Sequence, residues 1–219
     1  MREQVIERIC KNKLVAIVRN VPKDKLIKTA EAIINGGINL LEVTYDSTGK
    51  VTDEETSENI ALLVKEFAGR AYIGAGTVLS ETQVRLLHSA GGQFVISPDM
   101  RVNVIENTRA AGLVSIPGAL TPTEIQAAHS AGADFVKLFP ISLLGADYVK
   151  AIRAPLKHIR MLAVGGVTEL NVAEYLTAGI CGFGIGSNIV DSKAVKHNDF
   201  EAIRQRAESY VKAVSGEKI

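Results

Sequence analysis

The stretch AGADFVKLFP, residues 131–140, sets a lysine in the middle of an apolar, β-rich run. Ala131-Gly132 reads as the turn that ends a preceding helix, because glycine past a helix end supplies the left-handed conformation that closes the last turn. Beyond it side chains alternate along a strand. Phe135, Lys137 and Phe139 then share one face, and Val136 and Leu138 share the other.

Runs of the same kind recur on both sides of this one. In order they are LVAIV from Leu14, NLLEVT from Asn39, AYIGAG from Ala71, QFVIS from Gln93, LVSIP from Leu113, DFVKLFP from Asp134, RMLAVGG from Arg160 and CGFGIG from Cys181. Amphipathic stretches separate them: 25–35, 56–67, 81–90, 123–130, 147–154 and 170–177. Short apolar runs alternating with helical periodicity mark βα units around a parallel sheet. The helical stretches end in NGG at Asn35, AGG at Ala90, AGL at Ala111, AGA at Ala131 and AGI at Ala178, and Ser80, Thr121 and Thr168 stand where N-caps are expected. MREQVIERIC adds a helix at the start, and FEAIRQRAESYVKAV forms a closing one. Eight alternations with no evident edge strand predict a closed (β/α)8 TIM barrel with an extra N-terminal helix, as one domain over 1–219. A doubly wound open sheet uses the same alternation and is the structural alternative. In both folds the chemistry gathers at the C-terminal ends of the strands.

Composition agrees with a buried core. Of 219 residues, 47% are hydrophobic and 22% charged, enough to fold without disulfides or metal. Twenty-five basic residues against 24 acidic ones leave a net charge of +1, so no basic surface points to nucleic acid or an anionic membrane. The first ten residues lack the apolar core of a signal peptide, and no window reaches the ~20 apolar residues of a membrane span, so a cytoplasmic location is expected. Cys10 and Cys181 form no metal-ligand spacing and read as core thiols; no metal or cofactor is expected.

Lys137 is the one lysine inside an apolar strand, and its face directs it into the barrel. An ordinary lysine with a pKa of ~10.4 carries almost no free amine at neutral pH, and bringing that value near ~7 disfavours the charged form by about 4 to 5 kcal/mol. Burial between apolar walls does this, and the resulting amine can condense with a ketone. Glu42 lies in another apolar run with Thr44 on the same face, and can serve as general acid and base. A plain internal ion pair between Glu42 and Lys137 has the same geometry.

The seventh run ends in Val164-Gly165-Gly166-Val167-Thr168 and the eighth in Gly184-Ile185-Gly186-Ser187-Asn188. Such turns expose backbone amides that can cradle a phosphate, as loops after strands seven and eight frequently do; tight turns alone are the alternative. Arg19 closes the first run and can meet a carboxylate or a phosphate; beside the eighth strand it should stand near the Gly186 loop. Thr77 follows Gly74-Ala75-Gly76 and either orients a keto acid or caps the next helix. His88, His129, His158 and His197 fall in helical or polar stretches and are read as noncatalytic.

LVAIVR, GGINLLEVTYDS, IGAGTVLS, FVISPDM, IPGALTPTE, FVKLFP, AVGGVTELNVAEYLTAG and GIGSNIV, in this order, resemble the 2-keto-3-deoxy-6-phosphogluconate and 4-hydroxy-2-oxoglutarate aldolases, class I enzymes of sugar acid catabolism, over nearly the whole chain. The resemblance implies a (β/α)8 barrel, a homotrimer and no metal. It further implies that Lys137 is the Schiff-base lysine, Glu42 the acid/base, Thr77 a residue at the pyruvoyl end, and Gly165, Gly166, Gly186 and Ser187 the phosphate loops. The substrate implied is the phosphorylated gluconate-derived keto acid, with 4-hydroxy-2-oxoglutarate a further one. Asp46 departs from the pattern, since some members carry an arginine there; Arg19 matches the strand-one arginine of others. The galactonate-type branch also lacks the later arginine, which makes a 2-keto-3-deoxy-6-phosphogalactonate aldolase the alternative. A noncatalytic sugar-phosphate-binding barrel would lack Lys137 or Glu42, and a phosphate-loop isomerase or synthase would not need an amine in the sixth run.

Overall fold

The structure, a computed structural model, describes residues 1–216 of the chain; the last three residues of the 1–219 domain assignment lie outside the described residues. Its strands are β1 Leu14–Val18, β2 Leu40–Thr44, β3 Tyr72–Gly76, β4 Phe94–Ile96, β5 Val114–Ile116, β6 Gly118–Ala119, β7 Val136–Leu138, β8 Met161–Val164 and β9 Gly182–Ile185. The helices are α1 Arg2–Asn12, α2 Lys23–Asn35, α3 Asp53–Glu66, α4 Glu81–Ser89, α5 Val102–Ala110, α6 Pro122–Ser130, α7 Gly145–Arg153, α8 Val172–Thr177, α9 Ser192–Lys196 and α10 Phe200–Ser215. Each expected run contains one strand core; β6 lies just past the fifth run, which ends at Pro117, and no run was expected there.

All pairings are parallel, in the order β5-β4-β3-β2-β1-β9-β8-β7-β6. β5 and β6 are the two halves of one barrel strand, divided by Pro117, which has no N–H to donate. The first half pairs with β4 and the second with β7, and the carbonyls of Ser115 and Pro117 accept from Phe135 and Lys137 (3.3 and 2.8 Å). That strand joins the two ends of the order and closes the barrel, which excludes the open sheet.

Two apolar clusters follow from the alternation along the strands. Val15, Leu40, Phe94, Ile96, Val114, Ile116, Phe135 and Leu162 fill the inside, while Leu41, Val43, Val136, Leu138 and Ala163 pack outward against the helices. α1 adds Val5, Ile6 and Ile9 to the inner cluster. Burying such a side chain stabilises by roughly 1.5–3 kcal/mol relative to leaving it exposed. The N-terminal end of the barrel is thereby plugged. Asp134, which the sequence reading placed at the start of a strand, lies just outside it; its carboxylate accepts from Arg2, Arg109 and the Ser115 N–H and fastens the plug.

Two smaller expectations need correction. Cys10 is exposed, because it follows Ile9 around α1 and turns away from the barrel; Cys181 is part-buried, its Sγ donates to the Met161 carbonyl at 3.1 Å, and burial pushes its thiol up to about 11. Thr168 does not cap α8: its own carbonyl accepts from the N–H groups of Asn171 and Val172, and Asn171 occupies the N-cap position. Ser80 and Thr121 do cap α4 and α6, each accepting the N–H three residues on.

Candidate active site

With one end plugged, the open end carries the side chains that close β2, β3, β7 and the loops beyond. Lys137 points inward from the middle of β7 above the fully buried Phe135, and is itself only 6% exposed. Glu42 points inward from β2 and is 2% exposed. Room for its carboxylate depends on Gly76 of β3, where a Cβ would overlap Glu42 Oε1. Large interior side chains below and a glycine beside the carboxylate thus leave both groups in the buried space under the barrel mouth.

Burial acts on both charges. It lowers the Lys137 amine below the usual lysine range; Glu42 opposes this by attraction, while Arg19 adds repulsion in the same direction as burial. Burial likewise raises the Glu42 carboxyl above its ordinary range, against the pull of Lys137 and Arg19. Among the described residues the two groups form no direct ion pair, so they interact across the cavity. An amine whose charged form burial disfavours, set near a carboxyl whose charged form burial also disfavours, suits nucleophilic and acid–base chemistry. None of the four histidines acts on either group.

Arg19 follows β1 at the rim and donates to Thr77 Oγ1 at 3.4 Å. β1 pairs with β9, which stands Arg19 beside the Gly186 loop as expected, while its guanidinium leans across β2 toward the end of β3. Thr77 has a φ of 57°, a left-handed conformation uncommon for a β-branched residue. Since Ser80 is the cap of α4, capping does not explain Thr77. Backbone strain at the rim, beside an arginine, does fit a binding position.

The two glycine-containing turns lie after β8 and β9. Gly165 and Gly166 have φ of 90° and 79°, and the Gly165 carbonyl accepts from Ser142 (3.1 Å). The Gly186 carbonyl accepts from both Ile189 and Val190 (2.9 Å each), and the N–H groups of Ser187 and Asn188 bond to no acceptor among the described residues. Asn188 Nδ2 donates to the Val167 carbonyl and to Tyr210 Oη, both at 3.0 Å, and Tyr210 Oη donates to the same carbonyl at 3.1 Å. Asn188 and Tyr210 fasten the two turns to each other and to α10. Sequence reasoning quoted Asn188 only as part of a turn and passed over Tyr210, since a tyrosine on a helical apolar stripe carries no signal of this.

Asp46 has a local role. Its carboxylate accepts from the N–H and hydroxyl of Thr48 (2.9 and 2.8 Å) and from the N–H groups of Lys50 and Val51 (2.7 and 3.0 Å). These bonds, Thr48's foremost, hold it down to about 2. The negative charge at this position organises the loop after β2. Among the described residues no cluster of three His, Cys, Asp or Glu side chains could hold a metal ion, and no helix is long and apolar enough to cross a membrane.

A closed barrel with an enclosed amine, a facing carboxyl and two amide-lined turns at its one open end has the makings of a barrel lyase. The family profile for KDPG and KHG aldolase matches residues 5–206. A 2-dehydro-3-deoxy-6-phosphogalactonate aldolase of Escherichia coli (strain K12) is 34% identical over 91% of this chain and 93% of its own. A probable 2-dehydro-3-deoxy-6-phosphogalactonate aldolase of Rhizobium meliloti (strain 1021) is 38% identical over 80% and 81%. A solved structure described as native KDPGal superposes with a TM-score of 0.84, at 34% identity, over 93% of this chain and 94% of the other. The chain belongs to the KDPG and KHG aldolase family, and is an aldehyde-lyase.

Proposed function

We propose that this aldolase cleaves 2-keto-3-deoxy-6-phosphogalactonate to pyruvate and glyceraldehyde 3-phosphate through a Schiff base on Lys137. The observation that carries the reading is the enclosed Lys137 amine facing the Glu42 carboxyl at the open end of the barrel. In the reaction the amine adds to the C2 ketone and, as the Glu42 carboxyl gives a proton to the departing hydroxyl, water leaves, giving a protonated imine. Glu42 takes the proton of the C4 hydroxyl, the C3–C4 bond breaks, and its electron pair moves into the imine to form an enamine while the aldehyde departs. Protonation at C3 and hydrolysis then release pyruvate and restore the amine. Thr77 and Arg19 hold the keto-acid carboxylate; the amides around Gly165, Gly166, Gly186 and Ser187 hold the phosphate.

The galactonate-derived epimer replaces the gluconate-derived one expected first from the resemblance. Two relatives bear the galactonate name, and Asp46 occupies the place of the arginine that branch lacks. A cytoplasmic homotrimer is part of the same proposal.

Pyruvate with borohydride should leave one adduct per chain, on Lys137, and Lys137→Met should abolish labelling and turnover. In a coupled pyruvate-release assay, kcat/KM should be higher on the galactonate-derived substrate. A label mapped to Lys150 or Lys157 would overturn the site, and a preference for the gluconate-derived epimer would overturn the substrate.

A further inference from the structure

The scheme above leaves one side chain of the mouth unused. Phe139 continues the inward series of Phe135 and Lys137, yet it is 37% exposed, unusual for a phenylalanine placed over a buried amine. The centre of its ring lies 4.5 Å from Lys137 Nζ. The ring also rests on the turn after β8: a Cβ on Gly165 would come within 3.3 and 3.4 Å of two ring carbons. Glycine at 165 thus does two things, accepting a left-handed φ and leaving the space in which the ring sits.

We propose that Phe139 is a positioning residue for Lys137, its ring holding the nitrogen at the mouth by cation–π attraction in both of its charged states, the ammonium before condensation and the protonated imine after it. The inference rests on the Schiff-base reading. A cation within about 6 Å of a ring centroid is drawn to the negative face of the ring, most strongly where water is excluded. Burial is the main influence on this nitrogen and disfavours its charged form, while Glu42 on β2 favours that form and Arg19 after β1 disfavours it. Phe139, just past β7, acts in the same direction as Glu42. The difference is that Glu42 gives and takes protons during turnover, so its attraction comes and goes, whereas the ring cannot titrate. Phe139 therefore supplies a constant hold while the charge of its neighbour changes.

The test compares unaltered enzyme with Phe139→Leu, Phe139→Tyr and a ring-fluorinated phenylalanine at 139, which keeps the shape but weakens the negative face. The readouts are kcat/KM against pH and the pH dependence of pyruvate–borohydride labelling at Lys137. An ammonium stabilised by the ring titrates higher than it would without it, so losing the ring's face should move the acid limb lower, by about half to one pH unit. The fluorinated and leucine proteins should show this shift, and tyrosine should restore the original limb. A fluorinated protein whose limb stays in place, or a leucine protein that only raises KM, would reduce Phe139 to a space-filling wall. Absence of Lys137 labelling in the unaltered enzyme would overturn the Schiff-base reading, and this inference with it; normal labelling with an unmoved limb overturns the inference alone.

Discussion

Glu42 and Lys137 carry their charges inside a cavity walled by side chains, whereas the turns after β8 and β9 offer backbone N–H groups at the rim. In the cavity, burial displaces both protons from their usual ranges, which makes the groups reactive and sensitive to each other. Backbone N–H groups do not titrate in the working range. Amide dipoles attract an anion at every working pH, and their placement depends on glycine conformations and on the Asn188 and Tyr210 fastening. One region turns desolvation into chemistry, and the other holds a charged group without taking part.

The largest effect should come from the cavity. Glu42→Gln is expected to fold and to slow turnover by roughly 10² to 10⁴-fold, the range for a positioned acid or base. Because the carboxylate favours the ammonium form, its loss should also move the midpoint of borohydride labelling at Lys137 to lower pH. Unchanged turnover with only a shifted midpoint would leave Glu42 a charge partner and nothing more.

Arg19 stands between the two regions, acting on the buried pair while bonding Thr77 at the rim. Arg19→Ala should raise KM by about 1.5 to 3 kcal/mol, or roughly 10- to 150-fold, for the lost charge-assisted bond. Since the guanidinium leans toward Thr77, the loss should be equal for phosphorylated and unphosphorylated keto acids. Removing a like charge also lets the Lys137 amine titrate higher, so the acid limb of kcat/KM should move to higher pH. A loss confined to phosphorylated substrates would assign Arg19 to the rim turns instead.

The smallest effect is expected from the fastening of those turns. Asn188→Ala removes two donated bonds but leaves Tyr210 on the Val167 carbonyl, so KM for the phosphorylated substrate should rise by about 0.5 to 1.5 kcal/mol, or roughly 2- to 13-fold. Unphosphorylated analogues should be unaffected. Equal losses on both would mean that the turns support the fold and do not select the phosphate.

The sequence by itself determined the eight βα alternations, the helix that plugs the barrel, and the inward face shared by Phe135, Lys137 and Phe139. These are local facts: a period of two along a strand, a helical period between strands, and glycine at helix ends are all written within a dozen residues. An amine or a carboxylate in such a run stands out for the same reason, which is why Lys137 and Glu42 were legible. Tertiary structure decided what lies across strands. Closure through the split strand at Pro117, the glycine space that admits the Glu42 carboxylate, the lean of Arg19 toward Thr77, the ring of Phe139 between amine and Gly165, and the Asn188–Tyr210 fastening all join residues far apart in the chain. So does the outward turn of Cys10, set by which face of α1 the barrel takes. Each depends on which side chain stands opposite which once the barrel closes, and no periodicity along one strand records its neighbours across the cavity.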